Sequence, residues 1–251
     1  MRITSAPRLD AARPVPGTTA GTLSRRQALG VIGAAAGALT AAACGSETAT
    51  SPTTTTTTTT TTPTSTNLSC VVTPSETAGP YPSRADFVRS DIREDRQGTA
   101  LTLTITVVNA NSACAAVANA EVEIWHCDVA GDYSQYGSQT ARTFLRGVQS
   151  TNAAGQVAFT TIYPGWYQGR ATHIHAEVSV GGRSVKVTQI AFPESVNNTV
   201  HASGVYASRG PNPTSNASDG IFADSLAAEL VTPSSSLSGG FTAAFQIAVQ
   251  V

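Results

Sequence analysis

Beyond residue 100 the chain repeatedly alternates apolar and polar side chains. Thr102-Leu103-Thr104-Ile105-Thr106-Val107, Val122-Glu123-Ile124-Trp125 and Val157-Ala158-Phe159-Thr160 all do so. A period of two sends the apolar set to one face of a β-strand. Gly, Asn and Ala-rich stretches bound these runs, as turns do. Residues 173–180, 184–192 and 241–249 continue the series, and only 223–230 reads as a short helix. Many short strands at close spacing predict an all-β domain, a β-sandwich of short, mostly antiparallel strands joined by long loops.

The pattern is missing from the first quarter of the chain. Ser24-Arg25-Arg26-Gln27-Ala28-Leu29 is a twin-arginine pattern, followed from Gly30 to Ala43 by a short apolar run ending in small residues. That run falls short of the ~20 apolar residues a membrane-spanning helix needs, so residues 1–43 read as an export signal. Cys44 follows Ala41-Ala42-Ala43. This resembles a lipoprotein processing site, with Ala41 where a larger aliphatic residue is usual, and it equally suits ordinary cleavage after Ala-x-Ala. Residues 44–66 include an unbroken Thr53–Thr62 run, a composition that cannot bury enough apolar surface to offset its ordering entropy. They read as a tether. Residues 67–251 form one domain, long enough for a well-buried core. Export by a twin-arginine signal places this domain outside the cell or at its surface, and it suits a protein that folds with its cofactor before crossing the membrane.

Charge narrows the function classes. The formal net charge is -1, Lys186 is the only lysine, and removal of residues 1–43 takes away five Arg and Asp10. The acidic remainder has neither a basic patch nor a basic tail, which argues against a nucleic-acid partner. Cysteine usage agrees with export. Cys70 and Cys114 both lie in loop-like sequence and are expected to pair in an oxidising compartment, contributing roughly 3–4 kcal/mol on the chain-entropy account. Cys127 ends a strand and reads as a buried small hydrophobe. The absence of Cys-x-x-Cys spacing argues against structural zinc and covalent haem.

His173-Ile174-His175 carries the first chemical signal. On a strand both imidazoles point to one side, while Ile174, Val178 and Val180 point to the other, toward a core. Two histidines on one face make half of a metal site and are weak alone. Just upstream, Pro164-Gly165-Trp166-Tyr167-Gln168-Gly169-Arg170 brings an aromatic, a Tyr and an Arg near the pair, and Trp125-His126-Cys127-Asp128-Val129-Ala130-Gly131-Asp132-Tyr133 stands further back.

In this order the motifs resemble the intradiol ring-cleavage dioxygenases, most closely their single-domain exported branch, related to protocatechuate 3,4-dioxygenase and catechol 1,2-dioxygenase. The likeness runs from Gly79-Pro80-Tyr81 through the histidine pair to the terminal strand. It implies Fe(III) held by Tyr133, Tyr167, His173 and His175, with loops gathered around that metal site. It implies that Arg170 stabilises the electron-rich ring, that Gln189 hydrogen bonds in the pocket, and that Tyr167 leaves the metal to accept a substrate proton. The substrates implied are a catechol-type aromatic and O2, and the product is a muconate-type diacid. The donor chemistry agrees, because phenolate oxygens suit a hard ferric ion that can deprotonate a phenol of pKa about 10.

Blander readings stand beside these. Tyr136 and Tyr163 are packing or rim aromatics; Tyr81 is either an entrance residue or a turn anchor. Trp125 is a core side chain, and His126 and His201 are surface or structurally satisfied histidines. Arg170 has a rival role as partner to a carboxylate such as Glu177. A non-enzymatic cell-surface β-sandwich binding module, and a copper or zinc site on the histidine pair, are the alternative functions. The amino-terminal helical dimerisation domain usual in the catechol branch has no counterpart in residues 1–66, and the oligomeric state and the particular catechol stay open.

Overall fold

The computed structural model describes residues 70–251. The expected export signal, Cys44 and the Thr-rich tether lie outside the described residues. Among the described residues nine strands follow in chain order: β1 (Ala100–Asn109), β2 (Ala115–Ala116), β3 (Glu121–Trp125), β4 (Arg146–Ser150), β5 (Gln156–Ile162), β6 (His173–Val180), β7 (Arg183–Ala191), β8 (Ser234–Ser236) and β9 (Gly240–Val249). Helices are short, α1 (Glu194–His201) and α2 (Leu226–Glu229), with four 3-10 turns. The alternating runs all became strands, and the helix expected over 223–230 shrinks to α2. Neither β4 nor α1 stands out in the hydrophobic pattern. β4 places an Arg and a Gly at its start, and α1 carries two consecutive Asn residues, which favour turns over helices.

The strands form two sheets. One runs β4-β3-β6-β7, wholly antiparallel. The other runs β2-β1-β9-β8, with β5 also paired to β1. β1 and β9 pair in parallel from Leu101–Phe241 to Asn109–Val249, so the two ends of the domain share the sheet's centre. The inner faces meet in one core. Leu101, Leu103, Ile105 and Val107 of β1 and Phe241, Phe245 and Ile247 of β9 pack with Val122 and Ile124 of β3 and Ile174, Ala176 and Val178 of β6. Each such side chain stabilises by about 1.5–3 kcal/mol when fully buried. The domain is thus the all-β sandwich the alternation predicts.

Cys70 and Cys114 form the expected disulfide, and Cys127 is buried and free, its thiol pushed up by burial. From Cys70 the chain runs across the sandwich edge. Thr73 exchanges hydrogen bonds with Ala248 of β9, and the Glu76 N–H donates to Val187 of β7 at 2.8 Å. Lys186 fixes this strap, donating to Thr73 O at 2.6 Å and Ser75 Oγ at 2.7 Å. The strap then turns over the outer face of the antiparallel sheet.

Candidate metal centre

Register puts the chemistry on that outer face. Trp125 pairs with His175, His175 with Gln189, and Trp125 with Arg146; residues directly opposite one another share a face. Strand alternation alone would expose this face, yet His173 and His175 are 3% and 1% exposed. Loops cover it. The turn after β3 carries Tyr133, the segment after β5 carries Tyr167, and the strap carries Gly79 and Tyr81.

Two local devices bring the tyrosine loops together. Asp128 Oδ1 accepts from the backbone N–H groups of Ala130 and Asp132, closing the turn that leads to Tyr133. Gly165 then passes so near this turn that a Cβ there would lie 2.2 Å from Asp128 O. Only glycine permits the approach.

The rings of the four expected ligands form a closed set. Centroids are 5.6 Å apart for Tyr133 and Tyr167, 5.7 Å for Tyr167 and His173, 4.7 Å for the two histidines and 6.4 Å for Tyr133 and His175. His173 Nδ1 lies 2.6 Å from Ala171 O, which fixes the proton on Nδ1 and leaves a lone pair on Nε2. That Nε2 lies 3.1 Å from His175 Nε2. Burial, reinforced by Arg170, pushes His173 down to about 3. Burial and His173 hold His175 well below its usual range. Both rings are neutral, as metal ligands must be. The Tyr133 hydroxyl is buried without a hydrogen-bond partner, at an ordinary cost of about 1–3 kcal/mol. Ring nitrogens that face one another beside an orphaned phenol fit a cation that takes two nitrogens and two phenolates. Among the described residues no cluster of three His, Cys, Asp or Glu offers another site.

Packing holds this set firmly. Trp125 lies flat against His175, 4.9 Å between centroids and 1° between planes. Buried it is, but its ring faces the site rather than the sandwich core. Gly79 borders the same imidazole, with a Cβ position 3.0 Å from His175 Cε1. Tyr81 stacks on Tyr133 at 4.6 Å and meets Tyr167 edge-on at 5.7 Å, so it belongs to the site's wall.

Arg170 has a different partner from the carboxylate suggested by sequence. Its Nε donates to both oxygens of Asp219, at 2.8 and 3.1 Å, instead of pairing with Glu177. Glu177 sits two strand positions beyond His175, further along β6. Asp219 also accepts from the backbone N–H groups of Ala171 and Ile221. Burial alone would raise its carboxyl, but these donors and Arg170 prevail and lower it. Arg170 Nη2 donates to Gln189 Oε1, and Gln189 Nε2 donates to Thr77 O at 2.9 Å. Burial raises the Tyr167 phenol, and the nearby Arg170 charge opposes that rise. All six expected site residues therefore meet in one place.

The neighbours fall outside it. Tyr163 is in the core with its hydroxyl on Asn197 Oδ1, and Tyr136 donates to Pro82 O on the rim. His126 is satisfied by Cys127 O and Thr161 Oγ1, and His201 lies 3.3 Å from Pro164 O. Sequence reasoning missed Asp219, which occupies an unremarkable Ser-Asp-Gly turn. It also missed Arg146, whose one signal is a lone charge between Leu145 and Gly147-Val148.

Comparison with known proteins gives the family. A family model described as a dioxygenase, Dioxygenase_C, matches residues 74–210. An intradiol ring-cleavage dioxygenase from Tetranychus urticae is 31% identical, with a TM-score of 0.68 over 72% of this chain and 95% of that one. The dioxygenase domain of a dioxygenase and carbohydrate-binding protein fusion from Streptomyces sp. SirexAA-E is 27% identical, with a TM-score of 0.55 over 72% and 99%. Catechol 1,2-dioxygenase from Pseudomonas arvilla C-1 shares the fold at 21% identity and a TM-score of 0.51, over 71% of this chain and 62% of that one.

Proposed function

The chain belongs to the intradiol ring-cleavage dioxygenase family, and on that premise we propose that it is a ferric-iron enzyme opening catechol-type rings with O2 to muconate-type diacids. The observation that carries this reading is the convergence of Tyr133, Tyr167, His173 and His175, with the Tyr133 hydroxyl unpartnered and the facing imidazole nitrogens bonded only to each other. Two phenolates and two neutral imidazoles would hold the iron. Bound there, Fe(III) would supply Lewis-acid activation of the catechol, drawing it toward the dianion that O2 attacks.

The protein's own groups divide the remaining tasks. Tyr133 is buried and clamped by Tyr81, which suits a permanent ligand. Tyr167 is only half-buried and adjoins Arg170. It suits the role of base, its phenolic oxygen taking a proton from a catechol hydroxyl. Arg170, braced by Asp219 and Gln189, presents a fixed guanidinium where the ring gains negative charge. Loops over the outer face keep bulk water from the reacting carbon. The Cys70–Cys114 disulfide supports export to an oxidising compartment, and the twin-arginine pattern supplies the route.

The test is a visible spectrum and metal analysis of the protein purified without added metal, followed by anaerobic catechol. A reddish tyrosinate-to-iron band, a single iron per chain and a band shift on adding catechol support the reading, with oxygen uptake as the assay of turnover. A protein that stays colourless after iron is supplied overturns it.

A further inference from the structure

One strong charge near the ligands has no part in the roles given so far. Arg146, at the start of β4, is completely buried. Its Nε donates to Ser134 Oγ at 3.0 Å, its Nη2 to Ser134 O at 2.8 Å and its Nη1 to Ser83 Oγ at 3.2 Å. Ser134 is the residue after Tyr133, and its own hydroxyl donates to Phe144 O at 2.6 Å. The guanidinium thus bolts the Tyr133 loop to β4. Its carbon lies 5.9 Å from the centroid of the Tyr133 ring and 5.6 Å from that of Tyr136.

A buried cation without an anion is costly, and Arg146 makes no ion pair among the described residues. After the phenols of Tyr136 and Tyr133, the acid with most influence is Glu123, also on the outer face. Its Oε1 is buried and unpartnered, and burial pushes its carboxyl up to about 7. Glu123 forms no ion pair with the guanidinium among the described residues. Tyr136 is occupied as a neutral donor to Pro82 O. The remaining acid is Tyr133, whose hydroxyl has no partner and whose ring lies beside the guanidinium.

We propose that Arg146 is the positioning residue of Tyr133: it fixes the loop that aims the phenol and supplies the buried positive charge that compensates the phenolate once a ferric ion is bound. The pairing explains why so expensive a charge sits in a strand otherwise apolar at this end. Both Arg170 and Arg146 bear on the Tyr133 phenol, but only Arg146 is hydrogen-bonded to the loop that carries it. A cation beside a phenolate stabilises the electrons that phenolate donates, so it raises the energy of the tyrosinate-to-iron transition.

This inference rests on the four-ligand reading, and the experiment separates the two. Arg146→Met and Arg146→Lys are made in the native chain and in the Tyr133→Phe background, loaded with iron and compared by visible spectrum and iron affinity. A native protein without the band sinks the ligand assignment itself. Given the band, Arg146→Met is expected to move it to longer wavelength and to weaken iron binding by about 10–100-fold, as loss of an outer-shell partner does. Arg146→Lys keeps a charge without the three-point fork, and a smaller shift in the same direction is expected. Neither substitution shifts the residual band when Tyr133 is Phe. Should Arg146→Met not fold, the lysine pair decides. An unchanged band in the folded variants, or an equal shift with and without Tyr133, overturns the proposal.

Discussion

His173 and His175 turn their Nε2 atoms toward one another at 3.1 Å, although nothing but a shared strand face requires them to meet. The two nitrogens are within hydrogen-bond distance of one another and have no other partner, so a cation bound between them would replace that single contact with two. The tyrosines complete the set from two separate loops.

Those tyrosines should fail differently. Tyr133→Phe is expected to cost more iron affinity than the ~10–100-fold typical of outer-shell changes, with the fold intact by circular dichroism. Tyr167→Phe should retain coloured iron through Tyr133 and lower kcat by about 100-fold or more, the scale of a lost general base. Metal titration and oxygen uptake on the same samples check both.

Gly79 has φ +68°, and a Cβ there would lie 3.0 Å from His175 Cε1. Gly79→Ala adds backbone strain to a push on the imidazole. Iron affinity should drop by about 10-fold or more, while Gly181→Ala in the β6–β7 turn, at a similar positive φ of +58° but with nothing within 4 Å of the Cβ, matches the strain without the push and should leave it unchanged.

Asp219 braces Arg170 and is wholly buried at its side chain. Asp219→Asn leaves the guanidinium without its counter-charge and should destabilise by about 3 kcal/mol or more, with a larger fall in kcat than in catechol binding. Because the folded carboxyl sits below its usual value, its stabilisation is complete above the unfolded pKa of about 4 and fades as pH falls through the lower folded value. The native and variant unfolding midpoints should therefore converge toward acid.

His126 is neutral in the fold, pushed down to about 4 by burial. The unfolded chain binds its proton near pH ~6.5, so the stabilisation is complete above that value and is lost as pH falls toward 4. Urea unfolding of the iron-free protein should weaken across this window, and His126→Gln should flatten part of the slope.

The Cys70–Cys114 bridge closes a separation of 44 residues, which on the chain-entropy account stabilises by about 4 kcal/mol. Cys70→Ser with Cys114→Ser, or reduction of the native protein, should lower the unfolding midpoint by equal amounts. The strap from Cys70 to Tyr81 should show the first rise in hydrogen exchange.

Much of this was legible in the chain because strand alternation is local. The runs at 102–107, 122–125 and 157–160 needed no tertiary knowledge to declare their inner faces. The His-x-His spacing likewise fixed one side for both imidazoles, and Pro164-Gly165 announced a turn before Tyr167. β4 escaped because Arg146-Gly147 interrupts its apolar pattern, and α1 because its helix rests on packing of Asn197 and Val200 rather than on propensity.

The sequence by itself determined the sandwich, the inward and outward faces of its strands and the cysteine pair, and its resemblance to the family named the six residues that gather at the site. Tertiary structure alone decided that the outer face of β6 is buried, that Trp125 serves His175 and not the core, and that Arg170 pairs with Asp219 rather than Glu177. Side-chain periodicity is written over two to ten neighbouring residues, so the chain displays it directly. The choice of partner for a charge depends on loops 49 residues apart in sequence, and only their packing under a shared loss of water brings such groups within reach.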